Sequence, residues 1–415
     1  MNLKRDLGFF DILCLGVNAI VGSGIFLFPG LLAAMTGPAS ILSFVVTGLL
    51  LIPVALCFAW LAARYDSTGG PYLYARDAFG PWVGFGVGWT AWITNMLSLA
   101  AVACAISAYM AYFNPAFATW AGTKATAVGV LLILTVLNYR GVRLAASVTD
   151  FFTVAKLLPL LAFVGVGVMY FKPGNLSPFF IKDLPSFGGS LLLAFFAFQG
   201  FEAVPVPSGE ARNPKRDVPL ATVASLVFSL VLYAVIQAVT VAGYPGLAGS
   251  EKPLTDAAAS WWPMLGAILA VGAAVSTVGY TTGNALGGPR YLYALGSCGM
   301  FPKSVLRVHE RFGTPHVAVI AHMVLTMALV FVLDFRALVD LTNVVVCLQY
   351  LVTCAAAYRL GACGPRGTLK GVAVPLLGIG AILVLGSQAK AAEVWACALL
   401  LAAGYLAALL YCGRD

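Results

Sequence analysis

Two glycine-containing runs and two ionisable residues interrupt stretches of this sequence that are otherwise apolar. The run IVGSGIF covers residues 20–26, and the run AFQGFEAVPVP covers residues 197–207 and includes Glu202. A third apolar stretch, FFTVAKLLPLLAF, carries Lys156. Glycine permits a close backbone approach to a ligand, and an interrupted helix leaves N–H and C=O groups free to bind one. These residue types favour a binding site built largely from backbone.

Catalytic and metal-binding chemistry has little support in the sequence. The apolar stretches contain no nucleophile–base pair and no cluster of carboxylates, which an intramembrane enzyme would require. The histidines His309, His316 and His322 lack a second ligand at metal-binding spacing. We therefore expect no catalytic residue, no metal site and no cofactor.

Composition places the interrupted runs in a membrane. Hydrophobic residues make up 61% and charged residues 10% of the 415 positions, and the mean hydropathy is +0.93. Such values are typical of a polytopic membrane protein and exclude an ordinary globular enzyme. A spanning helix needs about 20 apolar residues. We predict an all-α membrane protein with twelve spans at residues 9–35, 40–63, 82–113, 119–138, 147–171, 187–209, 218–243, 260–285, 316–334, 337–358, 371–388 and 391–412.

Lysine and arginine set the predicted orientation. With the N-terminus in the cytoplasm, the inner segments hold 17 of the 24 Lys and Arg residues and the outer segments hold 6. This bias predicts that both termini are cytoplasmic and that the protein lies in the cell (inner or plasma) membrane. The net charge of +8 then suits anionic lipid, so nucleic acid is not an expected partner. None of the nine cysteines falls in a predicted outer loop, which predicts free thiols.

The two interrupted runs lie at matching positions of two five-span halves. Segments interrupted by glycine and proline in this way are typical of inverted-repeat transporters. We predict a first repeat over residues 1–172, a second over 187–360, and two further helices over 370–412. Crossed half-helix ends suit a ligand that carries both a carboxylate and an ammonium group. The alternative is that the glycines only allow close helix packing, which explains one interruption better than two in register.

Four motifs resemble those of the amino acid–polyamine–organocation (APC) permeases. They are GVNAIVGSGIFLFPG (16–30), STGGPYLYARDAFG (67–80), FFAFQGFEAVPVPSGEARNPKRDVPLA (195–221) and PRYLYALGSCGMFP (289–302). The resemblance covers roughly the first ten spans and implies a LeuT-type five-plus-five inverted repeat, with two additional C-terminal helices. It also implies a secondary transporter that binds an amino acid.

The same resemblance implies a set of substrate-binding residues. The substrate carboxylate would bind at the Gly-Ser-Gly segment, and the ammonium at carbonyl groups near the two interruptions. The predicted set is Ile20, Gly22, Ser23, Gly24, Asn95, Phe196, Phe198, Gln199, Gly200 and Asn284. Because its side chains are mainly aromatic and amide groups, the set favours a neutral amino acid.

Lys156 lies within the fifth predicted span, where a charge costs at least ~2.5 kcal/mol. One interpretation is that its long side chain extends to the cytoplasmic surface. The resemblance favours another, in which the ammonium group binds carbonyls of the first interrupted span. It would there replace the sodium ion of sodium-coupled relatives, so transport would be sodium-independent.

Glu202 follows the second interruption, and three roles remain open for it. A carboxyl group in apolar surroundings can carry a proton during transport, or it can be a hydrogen-bonded structural acid. It can also pair with a cationic substrate, although no second acid is evident in the pocket-lining spans.

The functional hypothesis is a sodium-independent secondary transporter of neutral L-amino acids that works by alternating access, as a proton-coupled symporter or an exchanger. The main alternative is a cationic amino acid or polyamine permease or antiporter. From other classes, a membrane amino acid sensor would share the pocket, and an intramembrane enzyme would not. The expected partners are an amino acid, the lipid bilayer and, for coupling, protons. The sequence leaves the particular amino acid and the oligomeric state open.

Overall fold

The computed structural model describes residues 5–22, 24–110, 114–180, 184–250, 252–297, 299–332, 335–364 and 368–412. Within these ranges the chain is helical and forms no β-sheet; an isolated parallel bridge pairs Leu7 with Ala211. The prediction of an all-α protein is confirmed. The seven cysteines whose side chains are described are free thiols, also as predicted.

Fifteen α-helices follow one another along the described part of the chain. The first seven are α1 (Phe9–Ile20), α2 (Gly24–Thr36), α3 (Ser40–Ala62), α4 (Pro71–Phe79), α5 (Pro81–Met110), α6 (Trp120–Arg140) and α7 (Val142–Gly167). The others are α8 (Leu184–Phe198), α9 (Pro214–Gly243), α10 (Pro253–Trp261), α11 (Pro263–Ser297), α12 (His316–Val332), α13 (Phe335–Arg359), α14 (Leu369–Gly386) and α15 (Ala391–Cys412). Short 3₁₀ turns at Phe201–Ala203 and Ser208–Glu210 connect α8 to α9.

Eight helical stretches of the described residues are long and apolar enough to cross a membrane. They are Phe9–Ala62, which comprises α1 to α3, and Pro81–Cys104, Trp120–Arg140, Arg143–Tyr170, Pro214–Gly243, Pro263–Ser297, Leu369–Gly386 and Ala391–Tyr411. The molecule is accordingly organised as a multi-pass membrane protein. The count of twelve spans and the division into two inverted repeats remain predictions.

The helices pack in two groups around the interruptions. In one group α5 lies against α11, α13, α6 and α12, and in the other α3 lies against α9, α8 and α14. The interrupted helices fit between neighbours: α1 packs on α9 and α7, and α2 packs on α8. The helix ends at the two interruptions are therefore packed against other helices, where backbone polar groups can find partners.

Two predicted span boundaries differ from the structure. The span expected at 187–209 is helical only to Phe198, and the span expected at 260–285 extends to Ser297. Arg290, one of the 17 Lys and Arg residues that we assigned to the inner segments, is instead a fully buried residue of α11. The predicted span ended too early because we did not expect an arginine to be buried within it. Its charge is compensated by Glu210, with which it forms an ion pair of 2.9 Å between Nη2 and Oε1.

Candidate functional site

The first interruption lies between α1 and α2. Helix α1 ends at Ile20, and α2 begins at Gly24. The N–H of Val21 donates to the carbonyl of Val17 at 2.8 Å, but the N–H of Gly22 turns to Ile20 at 2.9 Å. The regular hydrogen-bond ladder therefore stops where the glycine-containing run predicted it. Ser23 lies outside the described residues.

The side chain of Lys156 binds to this interruption. It projects from α7 and is fully buried, so it does not extend to a membrane surface. Its Nζ donates to the carbonyl oxygen of Asn18 at 2.9 Å, to Asn18 Oδ1 at 2.6 Å and to the carbonyl oxygen of Val21. All three ammonium hydrogens thus have acceptors, and such charge-assisted bonds are stronger than neutral ones. The contact compensates carbonyls that the interrupted helix leaves free.

Two further helices hold the same turn. The hydroxyl of Tyr233 in α9 donates to the carbonyl oxygen of Ile20 at 2.9 Å. The amide of Asn18 donates to the carbonyl oxygen of Gly279 in α11 at 2.5 Å. The carbonyl of Ile20, expected to receive a substrate ammonium group, therefore already has one donor, and it retains a second lone pair. The interruption is fixed by α7, α9 and α11 together.

The second interruption follows α8. Gly200 has φ of +131°, a conformation that glycine adopts more readily than any residue with a Cβ. Its N–H donates to Glu202 Oε2 at 2.7 Å, and the hydroxyl of Tyr350 in α13 donates to the same oxygen at 2.6 Å. The carboxylate of Glu202 thus accepts a free backbone N–H at the helix break and connects the break to α13.

The two interruptions touch each other through their backbones. A Cβ placed on Gly200 would overlap the carbonyl group of Ala19 and the nitrogen of Ile20. On α2, a Cβ on Gly24 would lie 3.3 Å from Cα of Ala197 in α8. Glycine at these positions is what allows the two broken segments to cross in contact.

We expect Gly200→Ala to destabilise the protein by at least about 2 kcal/mol, because it adds backbone strain to overlap with Ala19. Gly165→Ala is the matched control, since a Cβ on this α7 glycine would meet nothing within 4 Å. The measurement is the midpoint of thermal unfolding in detergent. Equal midpoints for the two variants would contradict the proposed close crossing.

A small cavity opens beside the second interruption. Its volume is about 40 Å³. Its wall comes from α5, the segment after α8, α11 and α13, and it comprises Ala91, Thr94, Asn95, Ser98, Gln199, Gly200, Glu202, Ala203, Tyr280, Asn284, Tyr291, Thr342 and Gln349. Because a buried water needs roughly 10–15 Å³ of such space, the cavity would hold about three waters. It is therefore a narrow, polar compartment.

Several polar atoms of the wall have no hydrogen-bond partner among the described residues. The amide of Asn95 donates to Asn284 Oδ1 at 3.2 Å, which leaves Asn95 Oδ1 unpaired. Thr94 Oγ1 is also buried and unpaired. Buried polar groups are nearly always hydrogen-bonded in native proteins. Unpaired donors and acceptors around one space therefore indicate that a polar ligand or ordered water completes them.

The structure brings about half of the predicted site residues to this cavity. Asn95, Gln199, Gly200, Glu202 and Asn284 line it. Ile20, Gly22 and Gly24 belong to the first interruption and do not line it.

The two predicted phenylalanines also lie outside the cavity wall. Phe196 packs against Phe28 with ring centroids 5.7 Å apart. Phe198 is fully buried between Phe44 and Tyr233, at centroid distances of 6.1 and 5.2 Å. Both aromatic rings contribute to packing around α8, so amide and hydroxyl groups dominate the cavity.

Tyr280 is the most informative wall residue that sequence reasoning missed. A Cβ on Gly22 would lie 2.9 Å from Cδ2 of Tyr280, so the ring fills the space between the first interruption and the cavity. Thr94, Ser98, Tyr291, Thr342 and Gln349 were missed as well. Single polar residues on long helices carry no spacing signal, so only the packed structure identifies them.

Comparison with known proteins relates the chain to transporters. Residues 7–407 match the amino acid permease family. The chain is 30% identical to the branched-chain amino acid permease BcaP of Bacillus subtilis, over 76% of this chain and 72% of that protein. It is also 30% identical to a methylthioribose transporter of Bacillus subtilis, with the same coverage.

A mammalian relative is matched over more of this chain but less of its own length. The mouse cationic amino acid transporter 4 is 31% identical over 84% of this chain and 58% of that protein. The relatives' names thus include a branched-chain amino acid, cationic amino acids and a methylthioribose. They agree on transport and differ in substrate.

Proposed function

Because the chain belongs to the amino acid permease family, whose members are transporters, we propose that it is a sodium-independent secondary transporter of neutral L-amino acids. It works by alternating access and has twelve spans, ten of which form two inverted five-span repeats. It lies in the plasma or inner membrane, with both termini in the cytoplasm. The repeats are those predicted for residues 1–172 and 187–360.

The observation that carries the proposal is the contact between two interrupted helices beside a polar cavity. Gly200 lies against the backbone of Ala19 and Ile20, and the cavity begins at Gly200. Interrupted helices offer partial positive charge at their N-terminal ends and partial negative charge at their C-terminal ends. A carboxylate and an ammonium group on one carbon match such a pair of ends.

A neutral side chain suits the cavity. Its wall presents several amide and hydroxyl groups, whereas Glu202 supplies its only carboxyl group among the described residues. The volume of about 40 Å³ favours a small substrate. Tyr280 separates Gly22 from this space, so we infer that its ring moves when the substrate carboxylate binds at the Gly-Ser-Gly segment.

Sodium independence is supported by Lys156. Its ammonium group binds three oxygen atoms at the first interruption, supplied by Asn18 and Val21. Oxygen atoms arranged around one positive charge are also what a metal cation would require. A tethered ammonium group in this position takes the place of a coupling ion.

We propose that Glu202 is the residue that carries the proton coupled to transport. Its carboxylate accepts bonds from Gly200 and Tyr350 and lines the cavity, so a change in its protonation would alter contacts at the interruption itself. We expect Glu202→Gln to flatten the pH dependence of uptake while leaving measurable transport. Uptake between pH 5 and 8 in proteoliposomes is the measurement, and an unchanged pH profile would make Glu202 a structural residue.

A cationic substrate is the second candidate. Glu202 lies at the cavity wall, and one relative is named a cationic amino acid transporter. In this case the side chain of the substrate would pair with the carboxylate, and Glu202→Gln would raise the KM for cationic substrates selectively.

The discriminating experiment compares the uptake of labelled alanine, leucine, arginine and putrescine into liposomes that contain the purified protein, in sodium or choline buffer and with or without a pH gradient. Binding of each labelled compound to the detergent-solubilised protein is measured in parallel. The proposal expects uptake of the neutral amino acids, equal in the two buffers. Uptake of arginine or putrescine alone would favour the cationic alternative, and binding without uptake of any of the four would indicate a sensor.

A further inference from the structure

A second cavity, separate from the polar one, lies where α6 ends and α7 begins. It has a volume of about 260 Å³ and is lined by Asp6, Arg140, Gly141, Arg143, Leu144, Arg311 and Phe312. Arg140 is the last residue of α6, and Arg311 belongs to the segment before α12. The cavity therefore joins three parts of the chain that lie far apart in sequence.

Positive charge dominates this second cavity. Three guanidinium groups border it against one carboxylate, that of Asp6. Arg140, Arg143 and Arg311 are exposed, and among the described residues none of them forms an ion pair. The 26-residue helix α7 also begins here, at Val142, and the first turn of a helix directs free N–H groups outward. These groups together favour an anion with several oxygen atoms.

An aromatic cluster joins two of the elements that carry the arginines. Tyr139 packs against His309, Phe312 and His316 with ring centroids 5.3 to 6.0 Å apart. Thr314 Oγ1 donates to the carbonyl oxygen of Tyr139 at 2.9 Å, which attaches the segment before α12 to the end of α6. The three guanidinium groups are consequently carried by connected elements and not by independent loops.

An apolar surface continues from the cavity along α7. Leu144, which lines the cavity, and Phe151, Leu158 and Leu161 on the same helix are all exposed. Their spacing of seven, seven and three residues places them along one side of the helix. A ligand bound at the arginines would therefore have a hydrocarbon-compatible surface directly beside it.

We propose that the cavity formed by Arg140, Arg143 and Arg311 binds the phosphate group of an anionic phospholipid, with an acyl chain along the apolar side of α7. The arginines and the α7 N-terminus bind the phosphate oxygens, and the neighbouring leucines contact the hydrocarbon. A free phosphate ion would use the same polar groups but not the apolar surface, which is why a lipid is the better occupant.

The test is native mass spectrometry of the purified full-length protein with dioleoylphosphatidylglycerol, with dioleoylphosphatidylcholine, and with inorganic phosphate alone. We expect the wild type to prefer phosphatidylglycerol by at least about tenfold, since basic residues near a lipid surface attract anionic headgroups. The triple variant Arg140→Gln, Arg143→Gln, Arg311→Gln should lose this preference.

The matched control removes the same charge elsewhere. Arg212, Lys215 and Arg216 are exposed basic residues around the start of α9, and their triple glutamine variant should keep the preference. An equal loss of the lipid preference in both triple variants would show that basic residues attract anionic lipid diffusely, and it would overturn the proposed site. Retention of inorganic phosphate that neither lipid displaces would show a soluble-anion site and overturn the lipid assignment.

Discussion

Replacing Lys156 by alanine is expected to reduce amino acid uptake by at least about tenfold, because three buried acceptors at the first interruption lose their donor. Each unsatisfied buried polar group costs about 1–3 kcal/mol, which is enough to change the geometry of the turn between α1 and α2. The measurement is initial uptake into proteoliposomes, normalised to protein that elutes as a symmetric peak from size-exclusion chromatography. Lys156→Met, which retains much of the apolar stem, should lose uptake as well.

Lys172→Ala is the matched control for this prediction. Lys172 is an exposed lysine beyond the end of α7, and its removal should leave uptake unchanged. Near-normal uptake by a well-folded Lys156→Ala protein would eliminate the proposed role of the ammonium group. A requirement of the wild type for sodium would eliminate it independently, since Lys156 would then not replace a coupling ion.

The helix interruptions could be predicted from sequence because their causes are local. Glycine and proline weaken a helix wherever they stand, so the runs around Gly22 and Gly200 are visible without knowledge of the fold. The contact between Lys156 and the first interruption was expected from the resemblance to APC permeases. Its geometric detail, with Asn18 supplying two of the acceptors, depends on packing between α1 and α7 and was not predicted.

The cavity wall was harder to predict because side-chain direction is a tertiary property. Phe198 and Gln199 are neighbours in sequence, yet Phe198 packs against Phe44 and Tyr233 while Gln199 lines the cavity. Tyr280 stands on a long helix among small residues, and nothing in its local pattern distinguishes a cavity residue from a packing residue. An apolar face in a membrane can point to lipid or protein, so periodicity gives less information here than in a soluble helix.

Arg290 shows the same limit for charge. Its partner Glu210 lies 80 residues away, and neither residue has a local signal of burial. Counting Arg290 as a loop residue followed from the ordinary cost of a charge inside a span. The ion pair offsets part of that cost through two parallel bonds, Nε to Oε2 at 3.0 Å and Nη2 to Oε1 at 2.9 Å.

We expect removal of either member of this ion pair to be among the most destabilising substitutions in the protein. Both side chains are fully buried, and Nη1 of Arg290 also donates to the carbonyl oxygen of Leu286 at 2.9 Å. Glu210→Ala would leave the guanidinium group buried without its counter-charge, which costs about 3–5 kcal/mol. The pair also connects α11 to the N-terminal segment, because the carbonyl of Glu210 accepts the N–H of Leu7 at 3.0 Å.

A double variant separates the cost of an unpaired charge from the value of the pair. Glu210→Leu combined with Arg290→Met should recover most of the unfolding midpoint lost in either single variant, since an apolar pair of similar size needs no compensation. Asp66→Asn is the surface control, because Asp66 and Arg5 are more than half exposed and 3.9 Å apart, and its effect should stay below about 1 kcal/mol. If the double variant is as unstable as Glu210→Ala, the charges themselves hold α11 to the N-terminal segment. If the double variant is stable but no longer transports, the ion pair is also required in the transport cycle.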